Sequence, residues 1–323
     1  MYKIKLALLF LFLIIVKVKA QTADSTTVKS YTDKLAYSLN FSTDIEEYFI
    51  SDGDISVHLE SNNSVKLSAQ VNYSFINFSF GFAPSFLPGN DDDELKGESS
   101  LTDYQLNLFP GRFVQSLHYR RIKGFYVENT EDFFSNWTEG EDAYLQFPDL
   151  KATTWGGSTG YVLNPDFSIR SALNQQEWQI ISVGSLVPQL SYDFIKLTNR
   201  TNEVDSKENQ IDINAALGYY YNWAISSKLV ISPYINAGIG PRFYKYTRED
   251  IEEKDSYFVT KYGGGVQFSY NTDKLFMGLR GSFKGAYFNT TSDDVTNNIW
   301  FGVFYLGYRF DPPEFLRKLN SKS

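Results

Sequence analysis

Two histidines, His58 and His118, are the chain's whole supply of imidazole, and it has no cysteine. Thiolate chemistry and Cys-ligated zinc or iron–sulfur sites are excluded, and a histidine-based metal site has almost no ligands to draw on. Ser116 stands two residues from His118, the types that a nucleophile and its base would supply. Same-face neighbours on one strand are about 7 Å apart, too far for the hydroxyl to meet the imidazole unaided. The run Asp91–Glu94 offers four carboxylates, the chemistry of a calcium or magnesium site. No EF-hand spacing follows, so a solvated acidic loop is the simpler expectation, with divalent bridging to lipopolysaccharide as the other. Gly263, Gly264 and Gly265 lie inside a strand pattern rather than before a helix, so they read as a close backbone approach and not a phosphate cradle. No catalytic residue, metal or cofactor is assigned.

The elements that must hold these residues alternate with period two. Val65, Leu67, Ala69, Val71 and Tyr73 alternate with Lys66, Ser68, Gln70 and Asn72. Leu35–Ser42, Ile76–Ala83, Ile211–Asn222 and Leu275–Phe283 repeat the pattern. Further candidates lie at 55–60, 100–109, 112–127, 151–163, 166–174, 178–187, 189–198, 229–243, 257–270 and 298–310. Successive side chains on a strand point to opposite faces, so a wall between two media reads this way. Tight turns are expected near 74–76, 110–111, 164–166, 222–227 and 271–274. Long polar loops are expected at 84–99, 128–150, 199–209, 247–256 and 289–298. Short turns at one end and long loops at the other are the habit of transmembrane barrels, which also close every backbone hydrogen bond inside lipid. Tyr219, Tyr221 and Trp223 gather beside one turn, and Tyr308 and Phe310 end the last strand, as an aromatic girdle would. The fold class read is all-β: a transmembrane antiparallel β-barrel of about 14 strands, with 12 as the alternative.

Alternation names the inward candidates. His58 and Glu60 share a polar face, as do Ser116, His118 and Arg120. Arg170 goes with Ser168 and Asn174, Asp212 with Asn214, and Arg280 with Ser282 and Lys284. An unpaired charge in a narrow lumen is costly, so one reading is a polar network that fills the lumen of a structural or partner-binding barrel. The leading reading is a small pore or solute-binding barrel, of unknown substrate, in which rings of charge select. An outer-membrane hydrolase is the third class.

Lys3 and Lys5 precede eleven unbroken apolar residues, Leu6–Val16, and Val18 and Ala20 follow at small-residue positions. That is the order of a secretory signal peptide, 1–20, and is too short for a membrane helix. Its removal leaves 26 Lys+Arg against 38 Asp+Glu, a net charge of -12. No basic face argues for nucleic acid. Aromatics are 17% of the chain and mean hydropathy is -0.31, which suits a barrel wall and not a helical membrane protein. The organisation read is signal peptide 1–20, lead-in 21–33, barrel 34–310 and periplasmic tail 311–323. The location expected is the outer membrane of a Gram-negative bacterium. The partners expected are outer-membrane lipid, lipopolysaccharide and the barrel assembly machinery.

Asn164-Pro165-Asp166-Phe167-Ser168-Ile169-Arg170-Ser171-Ala172, followed by Gln175, Gln179 and Ser182-Val183-Gly184-Ser185, resembles a segment of an uncharacterised outer-membrane family. That family, from Bacteroidetes-type bacteria, is filed as a domain of unknown function. Lys123–Val127 and the opening Tyr31–Leu35 resemble two more of its segments. The resemblance implies a barrel over nearly all of 30–313 and supplies no activity. Ile180 and Ile181 stand where the family pattern has basic residues.

The targeting reading makes a direct prediction. Protein recovered from the outer membrane of an expressing cell begins at Gln21, and its intact mass, read by mass spectrometry, is that of residues 21–323.

Overall fold

A computed structural model describes residues 26–320, apart from 46–47, 53–54, 202–203, 250 and 290–293. The signal peptide and its cut at Ala20 lie outside the described residues. Sixteen strands follow in chain order. They are β1 (Val28–Ser30), β2 (Leu35–Ser42), β3 (Tyr48–Asp52), β4 (Ile55–Glu60), β5 (Lys66–Tyr73), β6 (Ile76–Phe82), β7 (Ser100–Leu108) and β8 (Phe113–Val127). Then come β9 (Gln146–Tyr161), β10 (Glu177–Gln179), β11 (Val183–Thr201), β12 (Val204–Ser226), β13 (Leu229–Arg248), β14 (Ile251–Asn271), β15 (Leu275–Asn289) and β16 (Asp294–Phe310). Among the described residues three short α-helices accompany them: α1 (Asp93–Lys96), α2 (Ile169–Leu173) and, after β16, α3 (Glu314–Asn320).

Twelve strands close a ring in the order β2, β5, β6, β7, β8, β9, β11, β12, β13, β14, β15, β16, every pair antiparallel. The seam is β16 against β2, from Val303↔Ser42 to Phe310↔Leu35. The wall therefore has twelve strands, the alternative count rather than fourteen, and three of the fifteen candidate segments add no strand to it. Residues 55–60 form β4, which pairs with β3 and touches β8 only at Leu59↔Val127 and Glu60↔Tyr126, beyond the ring. Residues 166–174 hold α2, whose N-cap Ser168 accepts from the Ser171 amide. Five helical residues are too few to separate a 3.6 period from a period of two. Residues 178–198 hold the short β10 and then one strand, β11, which runs straight through Pro188. The ladder with β9 starts only at Gln189↔Gly160, so the missing proline N–H falls where that edge has no partner.

Three of the expected long loops are also corrected. Residues 199–209, 247–256 and 289–298 lie mostly in the extended ends of β11 to β16. Their strands run beyond the apolar belt, where both faces meet water and alternation has nothing to sort.

The inside–outside assignment follows the pleat. Leu117, Trp155, Phe194, Ile213, Leu217, Ile235, Leu279 and Leu306 are exposed on the outer wall. Their neighbours Asp212, Asn214, Gln267, Ser269 and Ser282 are buried on the inner one. An exposed apolar surface that encircles the molecule while polar side chains fill its centre is an outer-membrane-type barrel turned toward lipid. The wall is uneven. β2, β5, β6 and β7 have 8, 8, 7 and 9 residues, near what a bilayer core needs, whereas β12 has 23. Over the low side, Asn90 of the 83–99 loop binds the amides of Ser64 and Val65. At the other end the lead-in is tied to the tail: Lys34 Nζ meets Asp311 Oδ1 at 2.8 Å, which holds the Asp311 carboxyl below its usual range.

Leu217 stands midway along the outward run Trp223–Ile211. Leu217→Arg is expected to cost about 2–4 kcal/mol in urea unfolding of the vesicle-inserted barrel, and Thr247→Arg, near the far end of β13, about 0–1 kcal/mol.

Candidate functional site: the plugged lumen

The short-turn end of the lumen is closed by the chain itself. The connection from β9 to β11 turns inward at Asn164 instead of forming a hairpin, and carries α2 and β10 into the barrel. β10 pairs there with β1 of the lead-in, from Val28↔Gln179 to Ser30↔Glu177. The plug is pinned to nearly every neighbouring turn. Arg170 donates to the Ser74 carbonyl and faces Glu177 at 3.6 Å. Arg280 donates to the Ala172 carbonyl at 2.9 Å, and Trp178 Nε1 to the Ser227 carbonyl at 3.0 Å. Arg309 donates to the Gln175 carbonyl and to Asn271 Oδ1. Asn222 Nδ2 donates to the Ser168 carbonyl at 2.8 Å and to Gln179 Oε1 at 3.2 Å. Gln179 Oε1 also accepts the Ser168 amide, and its Nε2 donates to the Asp166 carbonyl. Apart from the half-buried Arg280, the side chains that donate these bonds are buried, so each bond replaces water that burial removed.

Above the plug lies a cavity of ≈ 430 Å³. Its low-wall side is a ladder of neutral side chains that hands hydrogen bonds from strand to strand. Ser38 and Asn40 donate to Gln70, and Gln70 to Asn72. Asn77 donates to Asn72, Asn107 to Asn77 and Ser116 to Asn107. Tyr220, Phe276, Phe301 and Tyr305 line the same space. From the plug, Asn174 and Gln175 border it, and neither Asn174 Nδ2 nor Gln175 Oε1 has a hydrogen-bond partner among the described residues.

A layer of charge crosses the lumen at the next level. Asp103 Oδ2 meets Lys66 Nζ at 2.6 Å and Arg120 at 2.9 Å, and Asp44 meets Lys284 Nζ at 2.6 Å. Opposite, Asp212 takes a two-pronged Arg242 at 2.6 Å and Lys261 at 2.9 Å. His118 Nε2 lies 3.2 Å from Asp193 Oδ1, across the whole width of β9. The residue between them in register is Gly156. A Cβ there would stand 2.0 Å from Asp193 Oδ1 and 2.8 Å from the imidazole, so only glycine lets the pair meet. Beyond this layer Leu101, Ile122, Phe125, Val127, Leu150 and Leu197 form an apolar inner cluster with Ile45 and Leu59.

Of the residues picked by alternation, His118, Arg120, Asp212, Arg280 and Lys284 stand in the lumen networks. Arg170 is buried in the plug rather than on a wall strand. His58 and Glu60 are corrected. They lie on β4 outside the ring, His58 Nδ1 3.7 Å from Glu128 and Glu60 accepting from the Tyr126 hydroxyl. The acidic run is a capped loop: Asp93 accepts from Asn62, and Asp92 pairs with Lys96. Missed were Asp44, Lys66, Asp103, Asp193, Arg242, Lys261 and Arg309. All seven stand at inward positions of period-two segments, or just past one, so their face was readable and their partners were not. Ser116 and His118 have different partners, Asn107 and Asp193. Gly156–Gly160 has G-x-S-x-G spacing, yet it runs within β9 with no strand-to-helix elbow.

A sequence model described as Domain of unknown function (DUF4421) matches residues 22–310, the lead-in, wall and plug together. The chain belongs to that family. Among solved structures, the DUF4421 barrel is similar to the outer membrane protease OmpT from Escherichia coli, at 7% identity and a TM-score of 0.37, over 87% of this chain and 98% of that one. It is similar to LpxR from Salmonella typhimurium at 10% identity and 0.40, over 85% and 100%. It is similar to the beta domain of the Bordetella autotransporter Brka at 12% identity and 0.38, over 86% and 98%. No curated protein matches the DUF4421 chain in sequence.

Breaking one partner of a buried ion pair strands the other charge. Asp212→Ala is expected to lower unfolding free energy by about 3–5 kcal/mol, and Asp212→Leu with Arg242→Leu by much less, in urea titrations of the refolded barrel.

Proposed function

We propose that this DUF4421 barrel sits in the outer membrane of a Gram-negative bacterium, short turns to the periplasm, and holds a small polar solute in its plugged lumen. The apolar belt and the aromatic strand ends support the placement. On this reading the β16 strand, ending at Phe310, serves as the signal for the barrel assembly machinery. The signal peptide and a Bacteroidetes-type source belong to the same reading.

The observation that carries solute binding is the cavity itself, closed below by the plug and lined by the hydroxyls and amides of Ser38, Asn40, Gln70, Asn77, Asn107 and Ser116. The cavity falls within the range of small-ligand sites, with hydroxyl and amide groups for orientation and aromatic faces for contact. A steadily open pore is disfavoured because the plug crosses the short-turn end.

A second reading, a hydrolase, is favoured by the His118–Asp193 pair, which has the look of a base and its orienting group. It comes second because Ser116 donates to Asn107. Loss of an esterase or peptidase activity in His118→Ala, with the fold intact, would promote it.

In planar bilayers the refolded chain is expected to show no sustained conductance steps. Replacing 165–181 by a Gly-Ser linker is expected to produce them. Sustained steps from the unaltered chain would overturn the plugged reading. Thermal unfolding against a panel of small sugars, amino acids and nucleosides is expected to find a stabilising solute whose effect Gln70→Leu abolishes. A panel without effect would overturn solute binding.

A further inference from the structure

The outer wall carries a patch of cations at one edge of its apolar belt. Tyr119, Trp155 and Phe194 stand side by side on β8, β9 and β11, in register, with ring centroids 5.5 and 6.0 Å apart. They close the apolar belt on that side. Two residues further along each strand, on the same outward face, the row reads Arg121, Thr153, Lys196 and, on β12, Asn209. Two residues beyond that it reads Lys123, Lys151, Thr198 and Lys207. Lys123 has Asp149 at 3.4 Å. Arg121, Lys151, Lys196 and Lys207 have no carboxylate partner among the described residues.

Four such cations on four adjacent strands are not a product of composition, since the chain's net charge is -8. Nor are they the ordinary ion-paired surface of this barrel. Lys245 and Lys254, further round the wall, share Glu252. Strands lie about 4.8 Å apart and same-face residues about 7 Å along a strand, so the patch is roughly 15 Å wide and two rows deep. That is the footprint of a headgroup bearing more than one phosphate. The hydroxyl of Thr198 and the amide of Asn209 lie between the cations, where sugar hydroxyls would be met. The row of rings directly below offers a surface for acyl chains. A free phosphate has little to gain from cations this exposed, whereas a ligand anchored in the bilayer is presented to them at headgroup height.

We propose that this face of β8, β9, β11 and β12 binds a phosphorylated glycolipid of the outer leaflet, with Arg121, Lys151, Lys196 and Lys207 on its phosphates. Arg121 grips a phosphate by its two-pronged fork, and the lysines act as point charges around it. The inference rests on the membrane placement proposed above.

The test titrates the refolded mature chain in detergent micelles with bisphosphorylated lipid A, read by native mass spectrometry. Parallel arms use the same glycolipid without phosphates, phosphatidylglycerol and inorganic phosphate. Lipid A is expected to bind in preference to all three. Arg121→Gln, Lys151→Gln, Lys196→Gln and Lys207→Gln together are expected to weaken it about tenfold or more. Lys228→Gln with Lys274→Gln, exposed turn cations at the other end, are expected to leave it unchanged. Equal binding by the fourfold variant, or equal binding of the dephosphorylated glycolipid or phosphatidylglycerol, overturns the proposal. All the changes are on the surface, and heat-modifiable mobility on a gel reports that each variant is folded. A chain that folds but will not insert into vesicles overturns the membrane placement and this proposal with it. An inserted barrel indifferent to the four changes overturns this proposal alone.

Discussion

A twelve-stranded wall leaves an interior that must be filled, and that constraint governs the rest of the molecule. Barrels of eight strands are just filled by their own side chains, and those of sixteen or more keep a water channel. At twelve, side chains from opposite walls do not meet unaided, and leaving polar groups unpaired between them is costly. This chain answers at each level with a different material. Backbone fills the short-turn end, neutral amides and hydroxyls line the cavity, ion pairs cross the middle, and an apolar cluster with Ile45 and Leu59 closes much of the far end. The charged layer depends on the closure where Lys284 of β15 reaches Asp44, just past β2, across the seam.

How much of this could be read beforehand follows from where the two faces of a strand differ. Within the belt one face meets lipid and the other the lumen, so β5, β6 and β12 were legible, and with them Arg120, Asp212, Arg280 and Lys284 as inward residues. Beyond the belt both faces are wet, and the far ends of β11 to β16 read as loops. The partners were hidden for another reason. Asp193 and Arg242 are inward by the same alternation, but which residue stands opposite which depends on register, and a single strand does not state its own. Gly156 shows the difference: in the sequence it is one glycine of two, and only the register His118–Gly156–Asp193 shows what it makes room for.

The plug was half legible. The stretch from Asn164 to Ser185 stood out as a family resemblance, but its first residues imitate a strand. Asn164 looked like a hairpin turn because Asn-Pro-Asp is turn chemistry. It is a turn, though one that leads inward. Gln175 adopts a positive φ of 59°, where the chain leaves α2 and heads for β10. Ser168, Gln179 and Asn222 then satisfy one another in a closed set of hydrogen bonds, which explains why these polar types recur in a buried segment.

The plug is spliced into the wall at both ends. β9 and β11 are neighbours, paired from Gly160↔Gln189, so the chain between them is a loop with clamped feet. That loop enters and leaves only through the short-turn mouth, since the paired wall, seam included, leaves no gap beside it. Once inside it is never lost to the surroundings. Any displacement is a swing on two pivots, and the high local concentration of a tethered segment drives its return.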